Sequence, residues 1–78
     1  MLTRYIHEAM KLAKYKILED ETYYGDIPGF RGVLANAGTL EECREQLQEV
    51  LEEWILLGVR LGHELPVANK IRLITEAV

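Results

Sequence analysis

The sequence predicts a small α+β domain in which two helices and a short antiparallel sheet share one core. Three observations lead to this prediction: helically spaced apolar residues near the start, a central stretch where apolar and polar residues alternate, and a second, longer helical pattern. A chain of 78 residues is enough for one domain, and a domain of this size has a thin stability margin unless association adds to it. We therefore expect one domain over residues 1–78.

The first element is an amphipathic helix that we expect over Thr3–Ala13. After Ala13 the period changes, because Tyr15 and Ile17 alternate with two lysines, which is typical of a strand with one packed face and one solvated face. The helix prediction rests on apolar residues spaced by three and four, which are Leu2, Tyr5, Ile6, Ala9, Met10 and Ala13.

Two further strands are predicted in the central stretch. The acidic run Glu19–Glu21 forms the first turn, and the second strand contains Tyr23, Tyr24 and Ile27. Pro28-Gly29 ends that strand, since proline lacks the N–H that a sheet needs and glycine accepts the backbone angles of a tight turn. A third strand follows over residues 32–37, and connections this short predict an antiparallel meander.

The long helix has clear signals at both ends. Thr39 can cap it with its hydroxyl while Glu42 reaches back to the Thr39 backbone N–H, and Gly62 followed by Pro66 predicts its end. We expect this helix to pack on the sheet with Trp54 buried. Its apolar face comprises Cys43, Leu47, Val50, Leu51, Trp54, Ile55, Gly58 and Leu61.

Three apolar residues of the long helix point away from this face or lie at its edge: Leu56, Leu57 and Val59. They predict an interface between copies of the chain, so we expect a homo-oligomer. The alternative is that the final segment folds back over them. Within that segment Lys70–Ile74 alternates well enough to form a short C-terminal strand at a sheet edge.

The residues that usually carry catalysis are absent or poorly placed, so we expect no enzyme, no metal and no cofactor. The chain has no serine, and its one cysteine, Cys43, lies on the apolar face of the long helix. Neither His7 nor His63 has ligand partners at helical spacing. The acids of the Glu19–Glu21 turn and Asp26 could hold magnesium if they converged, as residual nuclease activity would require, but a solvated turn explains them better.

The net charge of −4 and the pI of about 5.1 argue against nucleic-acid binding, which needs clustered positive charge. No apolar run approaches the roughly 18 residues of a membrane span, and the first residues do not form a signal peptide. A single thiol suits a reducing compartment. We expect a cytoplasmic protein whose acidic surface suits a basic protein partner.

The order of motifs resembles the HicB antitoxin family. The resemblance rests on Tyr23–Phe30 (Tyr-Tyr-Gly-Asp-Ile-Pro-Gly-Phe), Gly38–Cys43 (Gly-Thr-Leu-Glu-Glu-Cys) and Leu51–Trp54 (Leu-Glu-Glu-Trp), and the exit over Gly62–Pro66 is also similar. It covers roughly residues 14–74. It implies a degraded ribonuclease-H-like fold without catalytic activity, whose members bind and block HicA, a small basic mRNA-cleaving toxin.

Two departures from the family pattern qualify this expectation. Family members typically add a C-terminal DNA-binding segment, which a chain ending at Val78 leaves no room for, and they commonly begin at the first strand without a preceding helix. We expect a non-catalytic antitoxin that contacts its toxin through an acidic sheet and turn surface containing Tyr23, Tyr24 and Asp26. The alternative is a solitary homo-oligomeric binding or scaffold module with no toxin partner.

Overall fold

The computed structural model describes residues 2–66 and confirms the predicted α+β class. An N-terminal helix precedes a three-stranded antiparallel sheet, and a long helix follows it. The predicted strand over Lys70–Ile74 lies outside the described residues. The elements are α1 (Leu2–Lys11), β1 (Lys14–Ile17), β2 (Tyr23–Asp26), β3 (Leu34–Ala37) and α2 (Leu40–Leu61).

The sheet is a meander in the order β1-β2-β3, and its register assigns each side chain to one of two faces. Gly25 pairs with Tyr15 on one side and Ala35 on the other, and all three lie on the face that α2 covers. Neighbouring strand residues point to opposite faces. The other face, which we call the open face, therefore carries Lys14, Lys16, Tyr24, Asp26, Leu34 and Asn36.

Helix α2 begins and ends where the sequence predicts. The Thr39 hydroxyl accepts a 3.1 Å hydrogen bond from the Glu42 backbone N–H, and Gly62 adopts the left-handed conformation (φ 71°) that closes the last turn. One detail of the predicted cap differs. The Glu42 carboxylate accepts a 3.2 Å hydrogen bond from the Thr39 hydroxyl. The predicted donor was the Thr39 backbone N–H.

The core lies between α2, α1 and the helix-facing side of the sheet. Two residues of the predicted apolar face differ from expectation: Leu61 is 58% exposed and Trp54 is only half-buried, with its ring 5.4 Å from that of Phe30. Leu61 is the last residue of the helix, and the chain turns at Gly62 so that Leu65 packs over Gly58 instead. The buried residues of α2 are Cys43, Leu47, Leu51, Ile55 and Gly58.

The buried Tyr5 ties the chain beyond α2 to the N-terminal helix. Its hydroxyl donates a hydrogen bond to the backbone carbonyl of Pro66, and its ring lies 6.2 Å from that of Phe30. Burial disfavours the phenolate and raises the pKa of Tyr5 to about 12. Helix α1 is therefore fixed to the core by an aromatic side chain that also holds the segment after Gly62.

We predict that Gly25→Ala destabilises the protein. A β-carbon at Gly25 would lie 2.7 Å from Cδ1 of Tyr15 and 3.3 Å from Sγ of Cys43, so ring or helix must shift. Overpacking of this kind costs about 1–3 kcal/mol, measurable by urea denaturation. Gly38→Ala is the matched control, because a β-carbon there meets nothing within 4 Å. Equal losses in the two variants would contradict the proposed close approach.

We also predict that stability declines at alkaline pH through Tyr5. Its pKa is 10.0 in the unfolded chain and about 12 in the fold, so the stabilisation is complete below pH 10 and is lost as pH rises towards 12. Unfolding measured across this window should show a flatter profile for Tyr5→Phe than for the wild type. Tyr24→Phe, on the open face, serves as the control. Parallel profiles for all three proteins would rule out this role.

Candidate protein-binding site

The open face of the sheet is accessible, because α2 lies on the opposite side. Lys14, Lys16, Leu34 and Asn36 are exposed, and the two β2 residues between them are half-buried. A cation–π contact places the Lys16 ammonium 5.2 Å from the centre of the Tyr24 ring. The face therefore presents an aromatic ring, a carboxylate and two ammonium groups on a rigid, hydrogen-bonded sheet.

Local hydrogen bonds hold the turn between β1 and β2 and connect it to β3. Asp20 accepts from the Thr22 hydroxyl at 2.6 Å and from its backbone N–H at 3.1 Å, and these bonds lower the pKa of Asp20. The Asn36 side chain donates to the Thr22 hydroxyl and to the Tyr23 carbonyl, both at 2.9 Å. These contacts link the β1–β2 turn to β3 and fix the register of the open face.

A cavity of about 430 Å³ lies beside the open face, where β2 passes into the loop of residues 27–33. Tyr24, Asp26 and Leu34 line it from the sheet, and Arg31 lines it from the loop. It therefore places a carboxylate and a guanidinium next to an aromatic ring. Such a mixture suits recognition of a charged or aromatic side chain from a protein partner.

The loop that borders the cavity is anchored at every third residue. Ile27, Phe30 and Val33 are buried in the core, and two successive turns join them: Phe30 N–H donates to Ile27 at 3.0 Å and Val33 N–H donates to Phe30 at 3.1 Å. Gly29 and Gly32 supply the positive φ of 88° that both turns require. The three-residue spacing of the buried residues is visible in the sequence and indicates that Arg31, which lies between two of them, is exposed. The sequence-based prediction did not include Arg31 among the residues of the site.

The predicted partner-binding residues divide between the two faces. Tyr24 and Asp26 lie together on the open face and both line the cavity, whereas Tyr23 packs against the core on the helix-facing side. This division follows from strand alternation: residues 24 and 26 are two positions apart and share a face, whereas residue 23 is next to residue 24 and points to the opposite face. The structure brings together two of the three residues.

The three residues predicted to form the homo-oligomer interface also lie on different surfaces. Leu56 and Val59 line an apolar groove between α1 and α2, together with Leu2, Ile6, Glu52 and Ile55. Leu57 is 56% exposed but is not part of this groove.

The open face is not acidic, contrary to the expectation for the sheet surface. It carries Lys14 and Lys16 against a single acid, Asp26, because the two lysines alternate with the packed residues of β1. Most of the acids lie instead in the Glu19–Glu21 turn and along α2. Three of the α2 acids surround a shallow hollow of about 210 Å³ together with Gln48; they are Glu45, Glu49 and Glu52.

The described residues offer little to reactive chemistry. Cys43 is fully buried, its thiol lies 3.7 Å from the Ala35 carbonyl, and burial raises the pKa of the thiol. Between residues 2 and 66 no three His, Cys, Asp or Glu side chains are grouped so that they could hold a metal ion. No helix in that same range is both long and apolar enough to cross a bilayer.

The fold and the open face define a small α+β module in which one long helix covers one side of a three-stranded meander. The sequence matches the UPF0150-like family over residues 4–66, and the chain belongs to this family. A solved structure, TTHA0281 from Thermus thermophilus, is similar with 40% sequence identity and a TM-score of 0.90, covering 97% of this chain and 95% of that one. No curated protein matches the chain.

We predict that the two adjacent tyrosines differ in their contribution to stability. Tyr23→Ala removes a ring packed against the core and should cost about 2–3 kcal/mol. Tyr24→Ala removes a ring on the open face and its cation–π contact, which contributes about 0.5–1 kcal/mol at such a site. Thermal or urea unfolding of both variants measures the difference. A Tyr24 variant that loses as much as the Tyr23 variant would contradict the assignment of faces.

Proposed function

We propose that the chain is a non-catalytic antitoxin that binds and neutralises a small basic, mRNA-cleaving toxin of the HicA type. Two findings support the proposal: membership of the UPF0150-like family and the HicB-like order of motifs between Tyr23 and Trp54. The observation that carries it is the joint position of Tyr24 and Asp26. Both line one cavity on an open sheet face that α2 leaves free.

Two groups of this cavity, the Asp26 carboxylate and the Tyr24 ring, suit a basic side chain, whereas Arg31 on the loop side suits an acidic one. An arginine of the partner can pair with the Asp26 carboxylate and stack on the Tyr24 ring, a combination that its planar, charged guanidinium allows. Lys16 already occupies the face of that ring at 5.2 Å, so an entering cation replaces an existing contact. Recognition here consists of exchanging one cation–π partner for another while gaining an ion pair.

The charge distribution gives limited support to association with a basic protein. The net charge of −4 attracts a cationic partner to the molecule as a whole, but its acids lie mainly on α2 and in the Glu19–Glu21 turn, so the contact at the open face depends on Asp26. Binding at a rigid sheet face adds little ordering cost, because the strands and the anchored loop are already fixed. Neutralisation then requires only that the bound module covers the surface with which the toxin approaches RNA.

The test is capture of the partner followed by an activity assay. Tagged protein is used to capture ligands from the native lysate, and each captured protein is purified and assayed for RNA cleavage with and without this chain. We expect a small basic ribonuclease whose cleavage is abolished by an equimolar amount of the chain. Failure to recover any ribonuclease, or cleavage that continues at molar excess, would contradict the function.

Matched variants locate the contact surface. Asp26→Lys and Tyr24→Ala should weaken toxin binding by roughly tenfold or more, as expected for central interface residues. Glu49→Lys makes the same charge reversal on the acidic side of α2 and should change binding little. If Glu49→Lys abolishes binding and Asp26→Lys does not, the toxin binds α2, and the proposed site is wrong while the function stands.

A second candidate is a solitary homo-oligomeric module that has no toxin. The observation that favours it is the apolar groove between α1 and α2, which offers a surface for self-association. The capture experiment separates the two candidates. Recovery of the chain alone, without a ribonuclease, supports the solitary module.

A further inference from the structure

Besides the cavity next to the open face, the described part of the chain has an apolar groove between α1 and α2. It has a volume of about 460 Å³. Leu2 and Ile6 form its α1 side, and its α2 side comprises Ile55, Leu56 and Val59 together with one charged residue, Glu52. Leu2, Leu56 and Val59 are exposed by 49%, 56% and 40%. Side chains of this kind, grouped on one concave surface, favour a protein interface.

The charges along α2 indicate which partner this groove fits. The acids of the helix all lie at or before residue 53, and between Trp54 and Leu61 the only charged residue is Arg60. A second copy of an acidic chain meets the least repulsion at this nearly neutral end of the helix. At this end a basic partner meets the Arg60 cation against a single acid of the groove lining, Glu52.

We propose that the groove binds the same groove of a second copy, with the two α2 helices antiparallel about a two-fold axis at Leu56. Glu52 lies four residues before Leu56, and Arg60 lies four residues after it. In an antiparallel pair each Glu52 is therefore opposite Arg60 of the partner subunit, at about 6 Å along the helix from the axis. The two-fold symmetry makes this ion pair twice, on either side of the apolar centre.

Position on the helix separates Leu56 from its neighbour Leu57. Glu52, Leu56, Val59 and Arg60 form one stripe, because residues three and four apart lie on the same side of a helix. Leu57 is rotated by about 100° from Leu56 and lies outside the groove. The proposed interface therefore contains Leu56 and Val59 of the expected residues and excludes Leu57. It does not involve the open face of the sheet, so it stands independently of the proposed function.

The first test measures mass in solution by light scattering together with sedimentation. The wild type should have twice the 9.0 kDa mass of one chain, and Leu56→Glu should have the mass of one chain. Leu57→Glu is the matched control, since both leucines are 56% exposed, and it should remain dimeric. A monomeric wild type overturns the proposal, as does a Leu57→Glu variant that dissociates like Leu56→Glu.

The second test exchanges the charges of the proposed ion pair. Glu52→Arg and Arg60→Glu each place like charges opposite one another and should raise the dimer dissociation constant roughly tenfold or more. The double variant restores opposite charges and should return the constant to near the wild-type value. Glu52 also accepts a 3.1 Å hydrogen bond from Gln48, which both Glu52 variants lose, so recovery cannot come from that bond. A double variant as weak as the single variants overturns the two-fold geometry.

Circular dichroism provides the control for folding in both tests. Residues 52, 56, 57 and 60 are all exposed, so their substitution leaves the core in place. Each variant should retain the wild-type helical signal. Dissociation with an unchanged signal then reports on the interface alone.

Discussion

The contact between α2 and the sheet depends on a missing side chain at Gly25, in the middle strand. The ring of Tyr15 lies over this residue and Cys43 of α2 approaches it from the helix side, so any β-carbon would be too close to both. This close approach lets Cys43, Leu47 and Ala35 pack together in the core. The helix packs on β2 and β3, while on β1 the Ile17 side chain remains 65% exposed. Because α2 covers only one side of the sheet and α1 packs beside it, the same arrangement leaves both the open face and the apolar groove accessible.

Much of the fold follows from signals that are local in sequence. The Thr39 cap, the left-handed Gly62 and the turn between β1 and β2 each depend on a few consecutive residues and lie where they were predicted. The connection between β2 and β3 differs: β2 ends before Ile27 and β3 begins at Leu34, so a loop of residues 27–33 with two successive turns replaces the single predicted Pro28-Gly29 turn. Features that depend on contacts between residues distant in sequence were harder to predict. The exposure of Leu61 and the partial burial of Trp54 depend on where the chain runs after Gly62, which helix periodicity does not report.

The candidate site was predictable in part for the same reason. Tyr24 and Asp26 share a face because of their spacing, but the cavity beside them requires the 27–33 loop to fold back over its own buried residues. The prediction of an acidic sheet surface was wrong because it was based on the net charge of the whole chain. Net charge counts all residues together, whereas Lys14 and Lys16 face outwards on β1 and six of the thirteen acids lie on α2. Charge has to be assigned to a face before it can indicate a partner.

The two proposed surfaces lie on opposite sides of the sheet, and this arrangement has a consequence for assembly. The proposed dimer leaves both open faces free, so the proposed toxin site would not compete with dimerisation. Two binding faces on one rigid dimer increase the avidity for any partner that is itself paired, without a new contact at either site. The proposed dimer would also bury exposed apolar side chains such as Leu56, and this burial would add stability to a domain whose own core is small. The proposed self-association and the proposed partner binding are therefore compatible, because the side chains that would carry them belong to different faces of the same fold.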